Sequence, residues 1–225
     1  MYKALLIDFD DTLYDFPYQA VNSFFKTLHE EGIDATQEHF EVYEKFNREF
    51  WETYENFPPG TVKPSERFER LADAFSFKYD AEDINEKYLK NMHLFLKPIE
   101  HADELVKSLS RHYDIYIITN GLAKAQIPKL EASGLSDYIK DIFISEKIGF
   151  SKPHIKYFEY CLKRIPADKN EILVIGDSLT SDMAGGINAG LDTCWFNPAN
   201  KENSLGLPIT YTVNSMEGIK KLLIN

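Results

Sequence analysis

Three short apolar runs, each followed at once by a polar turn, constrain the fold more than any other feature of the sequence. They cover residues 3–9, 115–118 and 172–175 and are rich in strand-forming residues. Continuous apolar runs of this kind are typical of strands buried on both faces, as in parallel sheets. Helical patterns separate the runs in the second half of the chain, at residues 100–110, 123–133 and 153–164. The alternation predicts an α/β fold: a doubly wound parallel sheet whose strand carboxyl ends share the edge at which ligands bind.

Residues 16–96 interrupt this alternation, because four helical patterns follow one another there without a strand. The patterns cover residues 20–31, 37–55, 65–75 and 81–95, and the clearest loop among them is residues 57–60. We therefore predict an α/β domain formed by residues 1–15 and 97–225, and an inserted helical domain formed by residues 16–96.

Aromatic residues recur in this insert at spacings of three and four. Such spacing predicts an internal core for the insert more than an exposed stacking surface. The residues are Phe24, Phe25, Phe40, Tyr43, Phe46, Phe50, Trp51, Tyr54 and Phe57.

The composition of the chain argues against nucleic-acid and membrane partners and against a disulfide-rich protein. The 225 residues carry a net charge of −11, which offers no basic face for a nucleic-acid polymer. No apolar run approaches the roughly 20 residues of a membrane span, and the first run is too short for a signal peptide. Cys161 and Cys194 form neither a metal-type pair nor a disulfide framework, so we predict that both are core thiols. These features predict a cytoplasmic protein without nucleic-acid or membrane partners.

Asp8, Asp10 and Thr12 follow the first predicted strand as Asp-x-Asp-x-Thr, and Asp8 lies at the end of its apolar run. Alternate residues of an extended chain point to the same side, so the two carboxylates would face one site. Because such groups repel each other, a fold that keeps them together needs a divalent cation or uses one of them as an acid. Both outcomes suit phosphoryl transfer. The alternative is a polar turn in which Asp11 or Thr12 caps the segment that follows.

Asp177 and Asp182 follow the third apolar run, directly after Gly176. Glycine allows close backbone approach there, and the spacing of five puts both acids near one helix start. With Asp8 they would form a cluster rich in oxygen and poor in nitrogen, which favours Mg²⁺ over Zn²⁺ or a fully caged Ca²⁺. The alternative for Asp182 is a helix-capping acid beside the helix dipole.

Thr119 and Asn120 end the second run, and Lys152 precedes a helical pattern. A hydroxyl and backbone N–H groups at a strand end can hold phosphate oxygens. The ammonium of Lys152 would lie over the clustered carboxylates and a transferring phosphoryl group. Taken singly, these residues also fit a common turn and a solvated surface lysine. The two acidic motifs, Thr119 with its neighbour Asn120, and Lys152 each follow a separate strand or open a helix. Together they therefore favour one shared site.

In this order the four motifs resemble the haloacid dehalogenase superfamily, which is recognised by Asp-x-Asp-x-Thr, a strand-end Thr or Ser, a Lys, and Gly-Asp-x-x-x-x-Asp. The resemblance covers nearly the whole chain, because the insert looks like the helical C1 cap of subfamily I on a Rossmann-like core. The founding dehalogenases attack carbon without Mg²⁺ and lack an acid at the position of Asp10. Since this sequence keeps that acid, the resemblance implies a phosphatase or phosphotransferase.

The resemblance also implies a role for each site residue. Three residues would act in the chemistry: Asp8 as nucleophile, Asp10 as general acid and base, and Thr12 as a support for Asp10. Phosphate would be bound by Thr119, Asn120 and Lys152. Mg²⁺ would be held by Asp8, the backbone carbonyl of Asp10, Asp177 and Asp182. The implied reaction is hydrolysis of a small phosphomonoester through an aspartyl phosphate.

A narrower resemblance, to bacterial pyrimidine nucleoside 5′-monophosphatases, rests on residues 118–122, 144–146, 185–190 and 193–197. It implies a nucleotide substrate, and the loop at residues 14–16 lies nearest the expected cavity. Two alternatives remain open. A sugar-phosphate phosphatase or a β-phosphoglucomutase-like phosphotransferase would use the same aspartyl phosphate. A receiver-like phospho-binding module would need neither the insert nor an acid at Asp10.

Overall fold

The structure, a computed structural model, describes residues 1–56 and 61–224, and of residues 55 and 56 the backbone alone. The loop predicted at residues 57–60 lies outside this part of the chain. The described residues form one six-stranded sheet: β1 Ala4–Asp8, β2 Asp114–Thr119, β3 Asp141–Ile144, β4 Ile172–Gly176, β5 Asp192–Phe196 and β6 Tyr211–Val213.

All neighbouring strands are parallel, in the order β3-β2-β1-β4-β5-β6. The chain winds outward from β1 in one direction through β2 and β3 and in the other through β4 to β6. The carboxyl ends of β1, β2 and β4 therefore meet where the winding reverses, which is where doubly wound sheets bind ligands. The predicted α/β class is confirmed.

The central strands bury both faces, as their apolar runs predict. On β1, Leu5 and Ile7 pack into one apolar cluster, and Ala4 and Leu6 pack into the cluster on the opposite face. Successive side chains of a strand point to opposite faces, so a continuous apolar run supplies both layers. Helices cover the two faces: α5 Ala102–Leu109, α6 Ala123–Ala132, α7 Ser145–Ile148, α8 Ile155–Leu162, α9 Ala184–Asn188 and α10 Met216–Leu223.

The insert folds into helices, as predicted, with its own aromatic core. Its helices are α1 Phe16–Glu30, α2 Gln37–Asn56, α3 Glu66–Phe75 and α4 Ala81–Asn91, followed by a 3₁₀ turn at Met92–Phe95. Phe24, Tyr43, Phe50 and Tyr54 are buried in one cluster, which confirms the predicted internal core for these residues. Phe57 lies outside the described residues.

Three strands of the sheet were missed in the sequence. β3 has four residues and β6 three, too few for an alternating pattern to stand out. β5 contains Cys194 and Trp195, both buried, within a run that includes a charged residue and a threonine. Their place in the sheet comes from pairing with longer neighbours, which sequence periodicity does not report.

α1 begins at Phe16, four residues before the predicted start. The carboxylate of Asp15 accepts a hydrogen bond from the backbone N–H of Tyr18 at 2.9 Å, and Pro17 occupies the first turn. An acidic cap followed by proline is a start signal for a helix. The helices predicted at residues 81–95, 100–110 and 153–164 are each longer than the observed α4, α5 and α8 by three or four residues in total, because 3₁₀ or turn residues flank these helices.

The two connections between the insert and the sheet run side by side. The backbone N–H of Asp15 donates to Lys97 at 2.9 Å, and that of Ile99 donates to Leu13 at 2.9 Å. The side chains of Lys97 and Asp15 form an ion pair at 2.8 Å. These contacts lie at the boundaries chosen from the sequence, although the division into domains 1–15 with 97–225 and 16–96 stays a prediction.

Both cysteines are free and buried in the α/β core, as predicted. Burial raises the pKa of the Cys194 thiol to about 12, so this group stays protonated and unreactive near neutral pH. No helix in the described part of the chain combines the length and apolar character that crossing a bilayer demands.

Candidate active site

Three carboxylates from two strand ends converge at the reversal point of the sheet. Asp8 is the last residue of β1, and Asp177 and Asp182 lie in the turn after β4. One oxygen from each lies within 4.8 Å of the others. We call these three residues the carboxylate cluster. Hard oxygen ligands at this spacing could hold a divalent cation such as Mg²⁺, and the cluster lacks the sulfur and nitrogen donors typical of zinc sites.

Lys152 joins two members of this cluster. Its Nζ donates to Asp8 Oδ1 and to Asp182 Oδ1, each at 2.6 Å, and to the carbonyl oxygen of Ile118 at 3.3 Å. Only 2% of the residue is exposed. Lys152 is therefore a buried cation inside the site, and the alternative of a solvated surface lysine does not describe it.

Asn120 fixes the backbone of Lys152 from the loop after β2. Its Oδ1 accepts from the Lys152 N–H at 2.8 Å, and its Nδ2 donates to the Lys152 carbonyl at 3.0 Å. Its neighbour Thr119 lines the same cavity as the carboxylate cluster, and its hydroxyl accepts from the Gly121 N–H at 3.0 Å. Phosphate binding by Thr119, Asn120 and Lys152 stays a prediction, and the side chain of Asn120 positions Lys152.

Thr12 contacts two members of the carboxylate cluster, a difference from the single partner expected. Its buried hydroxyl lies 3.3 Å from Asp8 Oδ2 and 3.2 Å from Asp177 Oδ1, and its support of Asp10 stays a prediction. One hydroxyl hydrogen serves one of these oxygens at a time. The difference arises because the chain turns after Asp10, with the Leu13 N–H donating to the Phe9 carbonyl at 3.0 Å. Thr12 therefore points back at the cluster.

The carboxylate of Asp10 contacts two side chains of α6. Its Oδ2 accepts from Gln126 Nε2 at 2.6 Å, and its Oδ1 contacts the ammonium of the fully buried Lys129. Sequence reasoning missed both partners. Residues three apart on a helix share a face, yet this spacing alone does not say what that face meets. The metal contact predicted for Asp10 involves its backbone carbonyl and stays a prediction.

Burial and mutual repulsion set the electrostatics of the cluster. Burial raises the pKa of Asp8 well above its usual range, although Lys152 opposes the shift. Burial and the charge of Asp182 raise the pKa of Asp177 to about 7. For Lys152, burial disfavours the charged form, but Asp182 and Asp8 outweigh it and raise the pKa. The site thus holds more negative charge than one lysine neutralises, which favours a bound cation.

The cluster opens into a cavity of about 240 Å³ between the sheet edge and the insert. The insert contributes mostly apolar and aromatic side chains: Phe16, Trp51, Arg67, Tyr88, Leu89 and Met92. Within the loop at residues 14–16, Phe16 reaches the cavity. Tyr14 is 1% exposed, packs its ring against Phe9 at 5.1 Å and donates its hydroxyl to Asp103 at 2.7 Å.

Gly176 leaves the space that Asp182 occupies. A Cβ added at this position would overlap the carboxyl group of Asp182. We expect Gly176→Ala to displace this carboxylate and to weaken Mg²⁺ binding by about tenfold or more, because Asp182 is one of the predicted metal ligands and a misplaced ligand lowers affinity. Isothermal titration with Mg²⁺ measures the effect. Gly218→Ala is the matched control, since its Cβ would lie 3.3 Å from the nearest side-chain atom, on Val213. Equal Mg²⁺ affinity in the two variants would contradict the expectation.

Comparison with known proteins identifies the class of enzyme. The sequence model of the haloacid dehalogenase-like hydrolases matches residues 5–196. The chain therefore belongs to the haloacid dehalogenase-like hydrolase family. The superfamily and the hydrolase class predicted from the motifs are confirmed.

Relatives match almost the full length of the chain. The HAD-hydrolase YfnB of Bacillus subtilis is 35% identical over 99% of this chain and 95% of its own length. Two further relatives are named pyrimidine 5′-nucleotidases. YjjG of Escherichia coli is 32% identical over 97% of this chain and 96% of its own, and PynA of Streptococcus pneumoniae is 34% identical over 97% and 93%. The crystal structure of YfnB bound to magnesium has a TM-score of 0.88 at 34% identity, covering 100% of this chain and 99% of that one.

Proposed function

We propose that this enzyme is a Mg²⁺-dependent phosphatase that hydrolyses a pyrimidine nucleoside 5′-monophosphate through a phosphorylated Asp8. The observation that carries the proposal is the buried contact of Asp8 with Lys152 beside two further carboxylates, at the end of a cavity. An isolated carboxylate repels a phosphate dianion. A carboxylate that lies beside an ammonium group and a cation site can approach the phosphate dianion.

The proposed reaction has two steps. In the first, an oxygen of Asp8 attacks phosphorus, the bond to the ester oxygen breaks, and Asp10 protonates the leaving alcohol. In the second, Asp10 takes a proton from water, the water oxygen attacks phosphorus, and the bond to Asp8 breaks. When bound, Mg²⁺ would neutralise charge on the carboxylate cluster and on the transferring phosphoryl group. Lys152 and Thr119 would hold the phosphoryl oxygens.

Asp10 must rotate for this role. Its carboxylate is held by Gln126 and Lys129 on α6. Release from these two partners would turn the acid toward the leaving oxygen. General acids are often held in other contacts before substrate binds, and they reach productive geometry only in the complex.

The nucleotide assignment is supported by the walls of the cavity and by two relatives. Trp51 and Tyr88 of the insert line the cavity beside apolar side chains, and such walls suit a planar ring. YjjG and PynA are named pyrimidine 5′-nucleotidases. A sugar phosphate has no planar face to use these walls.

A panel of phosphomonoesters tests the proposal. UMP, dTMP, CMP, AMP, ribose 5-phosphate and glucose 6-phosphate are assayed for phosphate release with Mg²⁺, with EDTA, and with EDTA followed by excess Mg²⁺. We expect turnover only with Mg²⁺, and a kcat/KM for UMP and dTMP at least about tenfold above that for glucose 6-phosphate, since stacking of a base on an aromatic side chain contributes roughly 1–3 kcal/mol. Preference for glucose 6-phosphate would overturn the nucleotide assignment. Turnover that survives EDTA would overturn the metal requirement.

A further inference from the structure

Arg67, the second residue of α3 in the insert, is a buried cation whose partners are all uncharged. It is 2% exposed. Its Nε donates to the Pro64 carbonyl at 2.9 Å, and its two terminal nitrogens donate to Asn47 Oδ1 at 2.5 Å and Asn85 Oδ1 at 2.8 Å. Each of these three acceptors is a neutral oxygen, and none is a carboxylate. The insert thus holds a charge without its usual counterion.

Burying such a charge is unfavourable, and arginine is rarely buried without an anionic partner. Aromatic faces compensate for part of the cost, because the guanidinium carbon lies 4.8 Å from the ring centre of Phe50 and 5.7 Å from that of Tyr88. The hydrogen bonds to three neutral oxygens compensate for a further part of the cost of burying the charge. They also fix the guanidinium as a rigid fork, which suits recognition of a ligand better than a mobile surface arginine would.

The guanidinium has donor hydrogens to spare, and it borders the proposed active site. It carries more N–H groups than the three oxygens use. Arg67 lines the same cavity as Asp8 and Lys152, and it is the one cationic residue that the described part of the insert contributes to that cavity. A substrate whose phosphoryl group sits at Asp8 would therefore extend toward a buried hydrogen-bond donor.

The rest of the wall indicates what this donor meets. Arg67 stands among Trp51, Tyr88, Leu89 and Met92, which offer no second positive charge. A second phosphate dianion would be poorly solvated in such surroundings, whereas a neutral planar ring would fit them. A ring carbonyl oxygen accepts from a guanidinium without bringing a charge.

We infer that Arg67 donates a hydrogen bond to the 2-oxo group of a pyrimidine ring and so selects the base of the substrate. This inference rests on the proposed nucleotidase function. Uracil, thymine and cytosine all carry this oxygen, and adenine has no carbonyl group. Rejection of a ring without the acceptor follows, because the buried guanidinium would then lose a hydrogen-bond partner.

The test compares kcat/KM for UMP with that for ribose 5-phosphate, which keeps the phosphate and lacks the base, in the wild-type protein, Arg67→Lys and Arg67→Met. We expect both variants to lower kcat/KM for UMP by about tenfold or more, as loss of a charged hydrogen bond does. The value for ribose 5-phosphate should stay within about twofold, which also reports that the site is folded. Arg70→Lys, one turn along α3 and paired with Glu49 at the surface, is the matched control and should leave both values unchanged.

A second measurement uses the wild-type protein alone, so it does not depend on how a variant folds. The 2-thio analogue of UMP replaces the proposed acceptor by sulfur, a weaker acceptor, and we expect its kcat/KM to be several-fold lower. Equal values for UMP and the analogue in the wild type would overturn the inference. An equal loss of kcat/KM for UMP and for ribose 5-phosphate in Arg67→Lys would also overturn the inference, since that pattern indicates a structural role for Arg67. A wild-type protein that hydrolyses no phosphomonoester would instead overturn the proposed function, and this inference with it.

Discussion

Asp8→Asn is expected to lower kcat by at least about 10⁴-fold while leaving the fold intact, a loss of the size seen when a catalytic nucleophile is removed. The exchange replaces one carboxylate oxygen by an amide nitrogen at nearly constant shape. An amide forms no phosphoryl ester under these conditions, so the first step of the proposed reaction has no attacking atom. Phosphate release from UMP with saturating Mg²⁺ measures the effect.

The electrostatics of Asp8 explain why the fold should survive. Burial raises its pKa well above the usual range, so its charged form is held at an energetic cost. A neutral side chain removes that cost and the repulsion from Asp177 and Asp182. Asp182, which lies 2.6 Å from Lys152 Nζ, remains available as a partner of the lysine in the variant. We therefore expect the thermal midpoint without Mg²⁺ to be unchanged or higher.

Asp11→Asn is the matched control for this experiment. Asp11 has a φ of 60°, a left-handed conformation that asparagine tolerates. Its Oδ1 accepts from the Phe16 N–H at 3.2 Å, and an asparagine oxygen can do the same. Asp11 is not a member of the carboxylate cluster. Activity of this variant should stay within a few-fold of the wild type, and an active Asp8→Asn protein would show that another group attacks phosphorus.

The meeting of the carboxylates could be predicted from the sequence because it follows from topology. Asp8 lies at the end of one continuous apolar run and Asp177 follows another, and the carboxyl ends of parallel strands share one edge. Both faces of β1 and β4 are buried, so their sequences are continuous apolar runs, and these runs predict the two strands. Short β3 and β6 carry too few residues for the same pattern, so the width of the sheet was not predictable.

The residues that surround the cluster could not be predicted in this way. Arg67 and Asn85 belong to different helices of the insert, and they meet only when those helices pack. Lys129 looks like an ordinary charged residue of α6, yet it is fully buried against Asp10. Helical periodicity indicates which residues share a face. It does not indicate which residues of other elements that face will contact. In this protein, those contacts place the charged side chains that border the carboxylate cluster.

Lys152→Met is the second substitution with a large expected effect, and it should reduce both stability and activity. Lys152 is the cation that compensates Asp8 and Asp182 at 2.6 Å, with 2% of the residue exposed. Methionine fills similar space without charge, which leaves two buried carboxylates to repel each other. Removing one partner from a buried ion pair costs about 3–5 kcal/mol in the free energy of unfolding. We also expect kcat to fall by about 10²–10³-fold, as it does when one donor to a developing charge is lost.

The stability loss should depend on Mg²⁺, and this separates charge compensation from simple loss of packing. A divalent cation held by the carboxylate cluster would replace part of the lost positive charge, so added Mg²⁺ should raise the midpoint of chemical unfolding more in Lys152→Met than in the wild type. Lys147→Met, at an exposed position on α7, is the control and should match the wild type in both conditions. If Mg²⁺ stabilised Lys152→Met no more than the wild type, the lysine would act through packing. A cation bound among carboxylates that have lost the ammonium of Lys152 must gain more than a cation bound beside that ammonium.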